Sequence, residues 1–143
     1  MKKSIAYTGI AGLLLFVFTA CTKTGGGNSD NNHQIDDNDL TPPVITVNKP
    51  VNNQVYLSGD SIIVEGFATD TKSLYKGKVR ITDDANGQTT KEQFYETHFL
   101  QRIDFRIAYK ATVTATHDYT VLVEFEDHGL NTVNQTLKVK VNP

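Results

Sequence analysis

His117-Asp118-Tyr119-Thr120-Val121-Leu122-Val123-Glu124-Phe125-Glu126-Asp127 is the stretch that decides the fold. Tyr119, Val121, Val123 and Phe125 fall on one side; Thr120, Glu124 and Glu126 fall on the other. Side chains of a strand alternate between faces, so this period of two implies one buried and one wet face. Downstream, Val133, Leu137, Val139 and Val141 alternate with Asn134, Thr136, Lys138 and Lys140. Upstream, Ile103, Phe105, Ile107 and Tyr109 alternate with Arg102, Asp104 and Arg106, and Phe94 and Tyr95 mark a return strand. Asn86-Gly87 supplies the positive-φ residues of a tight hairpin turn. Before it, Tyr75, Val79 and Ile81 share a face opposite Lys76, Lys78 and Arg80.

The pattern continues to residue 41. Ile62, Val64, Gly66 and Ala68 alternate with Ile63, Glu65, Phe67 and Thr69, and that run stops at Asp70. Val55 and Leu57 mark a short piece, and Ile45 and Val47 a first strand. No segment of period 3.6 competes. Short alternating runs separated by Gly, Asn and Asp clusters predict an all-β, immunoglobulin-like β-sandwich of seven to eight antiparallel strands over residues 41–143. About 100 residues suffice for one packed core.

Outward from the domain the composition changes. Residues 22–40 hold Gly25-Gly26-Gly27 and a run of Asn, Asp and Ser, with Ile35 the only β-branched apolar residue. Such a stretch buries too little apolar surface to offset its ordering entropy, so residues 21–40 are read as a tether. Residues 1–20 carry Lys2 and Lys3, an apolar run from Ile10 through Phe18, and Thr19-Ala20 before Cys21. That is the layout of a secretory signal, and about 9 apolar residues fall far short of the roughly 20 that cross a bilayer.

Composition excludes several classes. Of 14 basic and 16 acidic residues, the signal holds two lysines and no acid; the remainder keeps 12 against 16, a formal charge near −4. No basic patch emerges, so nucleic acid is not an expected partner. Cys21 is the only cysteine, which rules out an intramolecular disulfide. There is no Gly-x-Ser-x-Gly elbow and no His-Glu-x-x-His, and Asp83-Asp84 read as turn residues. His117 and His128 lie roughly 36 Å apart along an extended strand, too far to share a metal. The chain reads as no enzyme, with no catalytic residues and no cofactor beyond calcium.

Calcium is the sharper hypothesis. The second and sixth strands of such a sandwich run the same way in facing sheets, so Asp70 and Asp127 fall at one pole. Asp36-Asp37-Asn38-Asp39 enters there too, and Asn131 follows in the loop. Calcium takes six to eight oxygens from carboxylates, carbonyls and water. Asp70, Asp127 and Asn131 are therefore the candidate metal residues.

Three resemblances add to this reading. Phe18-Thr19-Ala20-Cys21 resembles the lipobox of bacterial lipoproteins, which implies that Cys21 is the acylated first residue of the mature protein. Several acyl chains would then anchor it stably. Thr22 stands where enteric lipoproteins carry an inner-membrane retention Asp, which implies the outer membrane, on its periplasmic or surface face. The 117–131 segment resembles a bacterial Ig-like motif in which Tyr and alternating apolar residues precede Asp-x-x-Gly-Asn. Pro42–Val47 and Gly59–Asp70 fit the opening strands of the same domains, which are cadherin- and fibronectin-III-like, and Asp36–Asp39 resembles cadherin-like acidic linkers. The chain is thus similar to a domain-of-unknown-function family of short bacterial lipoproteins. The resemblance implies that Tyr119 is a structural tyrosine corner.

The expected role is a non-enzymatic, lipid-anchored recognition or accessory module binding an envelope protein or glycan. Its candidate surfaces are the loops 69–74, 83–88 and 126–132, with Tyr75 and Tyr95 as exposed aromatics. An envelope-structural or assembly subunit is the alternative. A secreted hydrolase would require a pocket with converging polar groups.

Overall fold

The computed structural model describes residues 35–143. The signal (1–20), Cys21 and the tether through residue 34 lie outside the described residues. Six strands follow in order: β1 (Val44–Lys49), β2 (Gln54–Leu57), β3 (Ser61–Asp83), β4 (Gln88–Lys110), β5 (His117–Asp127) and β6 (Thr132–Asn142). Among the described residues no helix is long and apolar enough to cross a membrane.

The sandwich is built by two strands of 23 residues that each serve both layers. The first half of β3 pairs with β1 and with the C-terminal half of β4, Gly66 opposite both Val47 and Phe105. Its second half pairs with the N-terminal half of β4 and with β5, Gly77 opposite both Tyr95 and Phe125. β6 extends this second layer beyond β5, and β2 closes it. The six strands form one continuous hydrogen-bonded sheet, not seven to eight separate strands, because β3 and β4 each run through both layers; counted by layer there are eight segments.

Two details differ from the sequence reading. β2 runs parallel to β6, not antiparallel. β3 does not stop at Asp70: it passes from one layer into the other. Leu74 lies opposite Asp127 and Lys76 opposite Glu126, so Tyr75 is the extra residue of a bulge. A bulge bends a strand and resets which residues face inward. Ile62, Val64, Ala68 and Leu74 are buried before it; Val79 and Ile81, of opposite parity, are buried after it. β4 crosses between layers beside this point, with Phe99 in the left-handed region at φ 65°.

The core lies between the layers. Phe105 of the first stacks on Phe125 of the second with ring centroids 5.8 Å apart. Val64, Ile107, Val121, Val123, Val139 and Val141 fill the space around them. Gly77 is required here, because a Cβ at this position would enter the Phe125 ring.

Candidate cation pole and adjoining cleft

Three acidic side chains from three separate segments meet where β3 changes layer. Asp39 precedes β1, Asp70 sits at the crossover of β3, and Asp127 ends β5. One carboxylate oxygen of each lies within 4.8 Å of the others. All three are buried, at 2%, 8% and 0% exposure respectively.

Local turns hold each carboxylate. Asp39 Oδ1 accepts the Thr41 N–H at 3.2 Å, and Asp70 Oδ1 accepts the Lys72 N–H at 2.7 Å. These Asx turns engage one oxygen apiece. Asp39 Oδ2 and Asp70 Oδ2 are buried with no hydrogen-bond partner. Asp127 differs: its Oδ1 accepts the Asn131 N–H at 2.8 Å and its Oδ2 the Asn131 Nδ2 at 2.9 Å. The same Asn131 amide donates to the Asp39 carbonyl at 2.8 Å. Asn131 therefore straps the entering chain to the end of β5, and meets the cluster through its nitrogen.

Residues 35–41, which the sequence places at the end of the tether and the start of the domain, are docked on this pole. The Asp36 N–H donates to the His128 carbonyl at 2.9 Å, and the Asp39 N–H to the Asp36 carbonyl at 2.9 Å. Gly129 is packed so closely that a Cβ there would strike the Asp39 carbonyl. Lys72 donates to Asp36 Oδ2 at 3.0 Å. That bond, with the Asn38 N–H, holds the Asp36 carboxyl below its ordinary pKa. In return Asp36 raises the Lys72 pKa, with Asp39 and Asp70 adding to the effect through space. Among the described residues, no cationic group forms an ion pair with Asp39, Asp70 or Asp127.

A cleft of about 460 Å³ adjoins the acids, lined by Ile35, Asp36, Asp37, Asn38, Ser73, Phe99 and His128. Phe99 is 62% exposed and stacks on His128, with centroids 5.2 Å apart and planes at 16°. Tyr75 and His98 complete the ring cluster, 4.8 Å from each other. A bulky residue at positive φ is a backbone outlier of the kind that gathers at functional sites. A smaller hollow of about 140 Å³ lies over Gly77. Its rim charges are matched, Lys76 with Glu126 at 3.3 Å and Lys78 with Glu124 at 2.8 Å.

The opposite pole carries the sequence-predicted Tyr119. Its hydroxyl is hydrogen-bonded with Tyr109, and burial together with the nearby Asp83 carboxylate pushes its pKa up to about 12. Asp83 Oδ2 meets His117 Nδ1 at 2.9 Å, Asp84 meets Lys138 at 2.7 Å and Asp118 meets Lys140 at 2.7 Å.

The structure thus brings Asp70, Asp127 and Asn131 together and adds Asp39. Of the three predicted surfaces, 126–132 borders the cleft, 69–74 is the β3 crossover and 83–88 lies at the other pole. Tyr75 and Tyr95 are half-buried, and among the described residues Phe94 and Phe99 are the exposed phenyl rings. Phe99 was not legible in the sequence, because no spacing rule places 98–100 beside His128.

No protein-family model matches the chain, and no curated protein matches it. Solved structures do. The CARDB domain of the PF1109 protein from Pyrococcus furiosus, determined in complex with di-metal ions, is similar at 17% identity and a TM-score of 0.45, over 74% of this chain and 96% of that one. The fibronectin(III)-like modules of CbhA from Clostridium thermocellum are similar at 14% identity and a TM-score of 0.41, over 72% of this chain. This chain spans 47% of that one. At such identities the likeness is one of all-β architecture alone.

Proposed function

We propose that the protein is a non-enzymatic recognition module of the bacterial envelope, anchored through an acylated Cys21 in the outer membrane and binding a glycan at the pole cleft. The observation that carries this is Phe99. Its exposed ring, held on His128 by a strained backbone, forms one wall of a cleft whose other walls offer Asp36, Asp37 and Asn38. A flat apolar platform beside a few polar groups suits a sugar ring, which presents C–H bonds on its face and hydroxyls at its edge.

The polar groups of the cleft are tied into the fold. Asp36 is engaged by Asn38 and Lys72, and Ser73 and His128 meet through the main chain, His128 N–H donating to the Ser73 carbonyl at 3.2 Å. Binding of the full-length lipidated chain to purified envelope and host glycans tests the reading. Phe99→Ala is expected to lower affinity at least tenfold without altering the melting temperature. Equal binding by the two proteins would reject the cleft. Cys21→Ser tests the anchor: unchanged membrane association after cell fractionation would defeat it.

A protein partner is the second reading, favoured by β4. Among the described residues β4 is hydrogen-bonded to β3 alone along its length, and it carries the exposed Phe94, Phe99 and Leu100. An open edge of this kind accepts a strand from another protein. Stable co-purification with one envelope protein, abolished by Pro at an outward-donating β4 position, would favour an assembly subunit over a glycan binder.

A further inference from the structure

We propose that Asp39, Asp70 and Asp127 bind one hard divalent cation of the calcium class, which fastens residues 35–41 to the sandwich. The cluster does not rest on its acidity alone. Asp39 Oδ2 and Asp70 Oδ2 belong to side chains more than nine-tenths buried, and neither oxygen has a hydrogen-bond partner. Leaving a buried polar atom unpaired destabilises a fold, and more so when the group is charged. Two such oxygens beside a third buried carboxylate make an arrangement that a bound cation resolves.

Geometry and chemistry agree on the type of ion. Oxygens bound to one calcium at 2.3–2.6 Å lie at most roughly 4.6–5.2 Å from one another. The three carboxylate oxygens here fall within 4.8 Å. The donors are all oxygen, which suits calcium or magnesium and not the softer metals. Three carboxylates supply three ligands; water entering from the adjoining cleft would supply others. Of the lysines near this pole, Lys72 is hydrogen-bonded to Asp36 and Lys76 is paired with Glu126, so neither forms an ion pair with the three ligands.

Asp39 is the one ligand outside the strand framework, and that gives the site its consequence. A cation shared by Asp39, Asp70 and Asp127 ties the incoming chain to the crossover of β3 and the end of β5. It thereby sets residues 35–38, which form one wall of the cleft. The cation site stands independently of the glycan reading, since either can fail while the other holds.

Melting of the full-length chain in detergent, with calcium alone, magnesium alone or chelator, tests the proposal. Calcium at a hundredfold excess over its Kd is expected to raise the wild-type melting temperature by about 10–15 °C. Asp39→Asn is expected to melt at or above the wild type in chelator and to lose the calcium response. This variant keeps the Oδ1 acceptor for Thr41, so its fold is preserved. Calorimetric titration of calcium is expected to give one site per wild-type chain and none in Asp39→Asn. An identical wild-type melt in millimolar calcium and in chelator, or an undiminished calcium response in Asp39→Asn, would overturn the proposal. A response to magnesium equal to that to calcium would overturn the assignment to the calcium class.

Discussion

The two poles of the sandwich carry similar acids in opposite circumstances. At the hairpin pole, Asp83, Asp84 and Asp118 each meet a basic side chain: His117, Lys138 and Lys140. At the crossover pole, Asp39, Asp70 and Asp127 meet one another, and two of their oxygens meet nothing. At the first pole each of these acids has a side-chain hydrogen-bond partner within the protein. The second leaves Asp39 Oδ2 and Asp70 Oδ2 buried without a hydrogen-bond partner, which is what the proposed cation would satisfy. The difference arises from what lies across from each acid: β6 brings Lys138 and Lys140 to the first pole, whereas the docked segment 35–41 brings another aspartate to the second.

Substitutions can break or sharpen this contrast. The largest effect is expected at the hairpin pole. Asp83 accepts both the Ala85 N–H and the His117 ring nitrogen, and it is buried. Asp83→Ala should therefore cost about 2–3 kcal/mol in urea unfolding, since it removes the acceptor of two hydrogen bonds at a buried position. A loss below 1 kcal/mol would show that this pole is no better satisfied than the other. Asp39→Asn should not destabilise the protein in chelator, as given above.

Next in size is a pH effect at the same pole. An unfolded tyrosine ionises near pH 10, whereas folded Tyr119 holds its proton to about 12. Between those values the folded state binds a proton that the unfolded state has lost, so stability falls as pH rises. The expected loss is about 2 kcal/mol from pH 10 to 12, and Tyr119→Phe should remove that part of the slope. Parallel curves for the two proteins would contradict it.

At the crossover pole, Gly129→Ala should cost about 1–2 kcal/mol, because its methyl group displaces the Asp39 carbonyl from the Asn131 strap. Faster proteolysis within residues 35–41 is the accompanying sign; unchanged cleavage would mean the segment is held some other way. The smallest effect is expected at the exposed Lys140–Asp118 pair, where Lys140→Ala should cost about 0.5 kcal/mol or less and vanish in high salt. A larger, salt-resistant loss would mark that pair as more than a surface contact.

The alternation of Tyr119, Val121, Val123 and Phe125 was enough to place β5, because burying one face of a strand leaves a local trace. The alternation of Ile62 through Ala68 placed the first half of β3 for the same reason. The crossover left no such trace. Asp70 looks like a strand end, since polar residues 70–73 follow an apolar run, yet the chain continues through a bulge at Tyr75. Bulges depend on what the neighbouring strands require, not on the residues that form them. The parallel pairing of β2 with β6 was hidden similarly, because Val55 and Leu57 alternate in the same way whichever direction their partner runs.

Local pattern alone, then, determined an all-β domain and its strand segments, because side-chain alternation acts over neighbouring residues. Of the expected Asn86-Gly87 turn it placed the loop and the positive φ of Gly87, at 70°, whereas Asn86 is not at positive φ and the loop spans 84–87, closed by the Gly87 N–H on the Asp83 carbonyl. Together with the strand directions of an immunoglobulin-like sandwich, it also put Asp70 and Asp127 at one end, with the acidic run 36–39 entering there. Tertiary structure alone decided which acid of the run 36–39 joins them, Asp39, that Asn131 turns its nitrogen inward and that Phe99 stacks on His128. Those contacts join residues that are 29 to 92 positions apart in the chain. Only the closing of two layers around a shared core brings such residues within bonding distance.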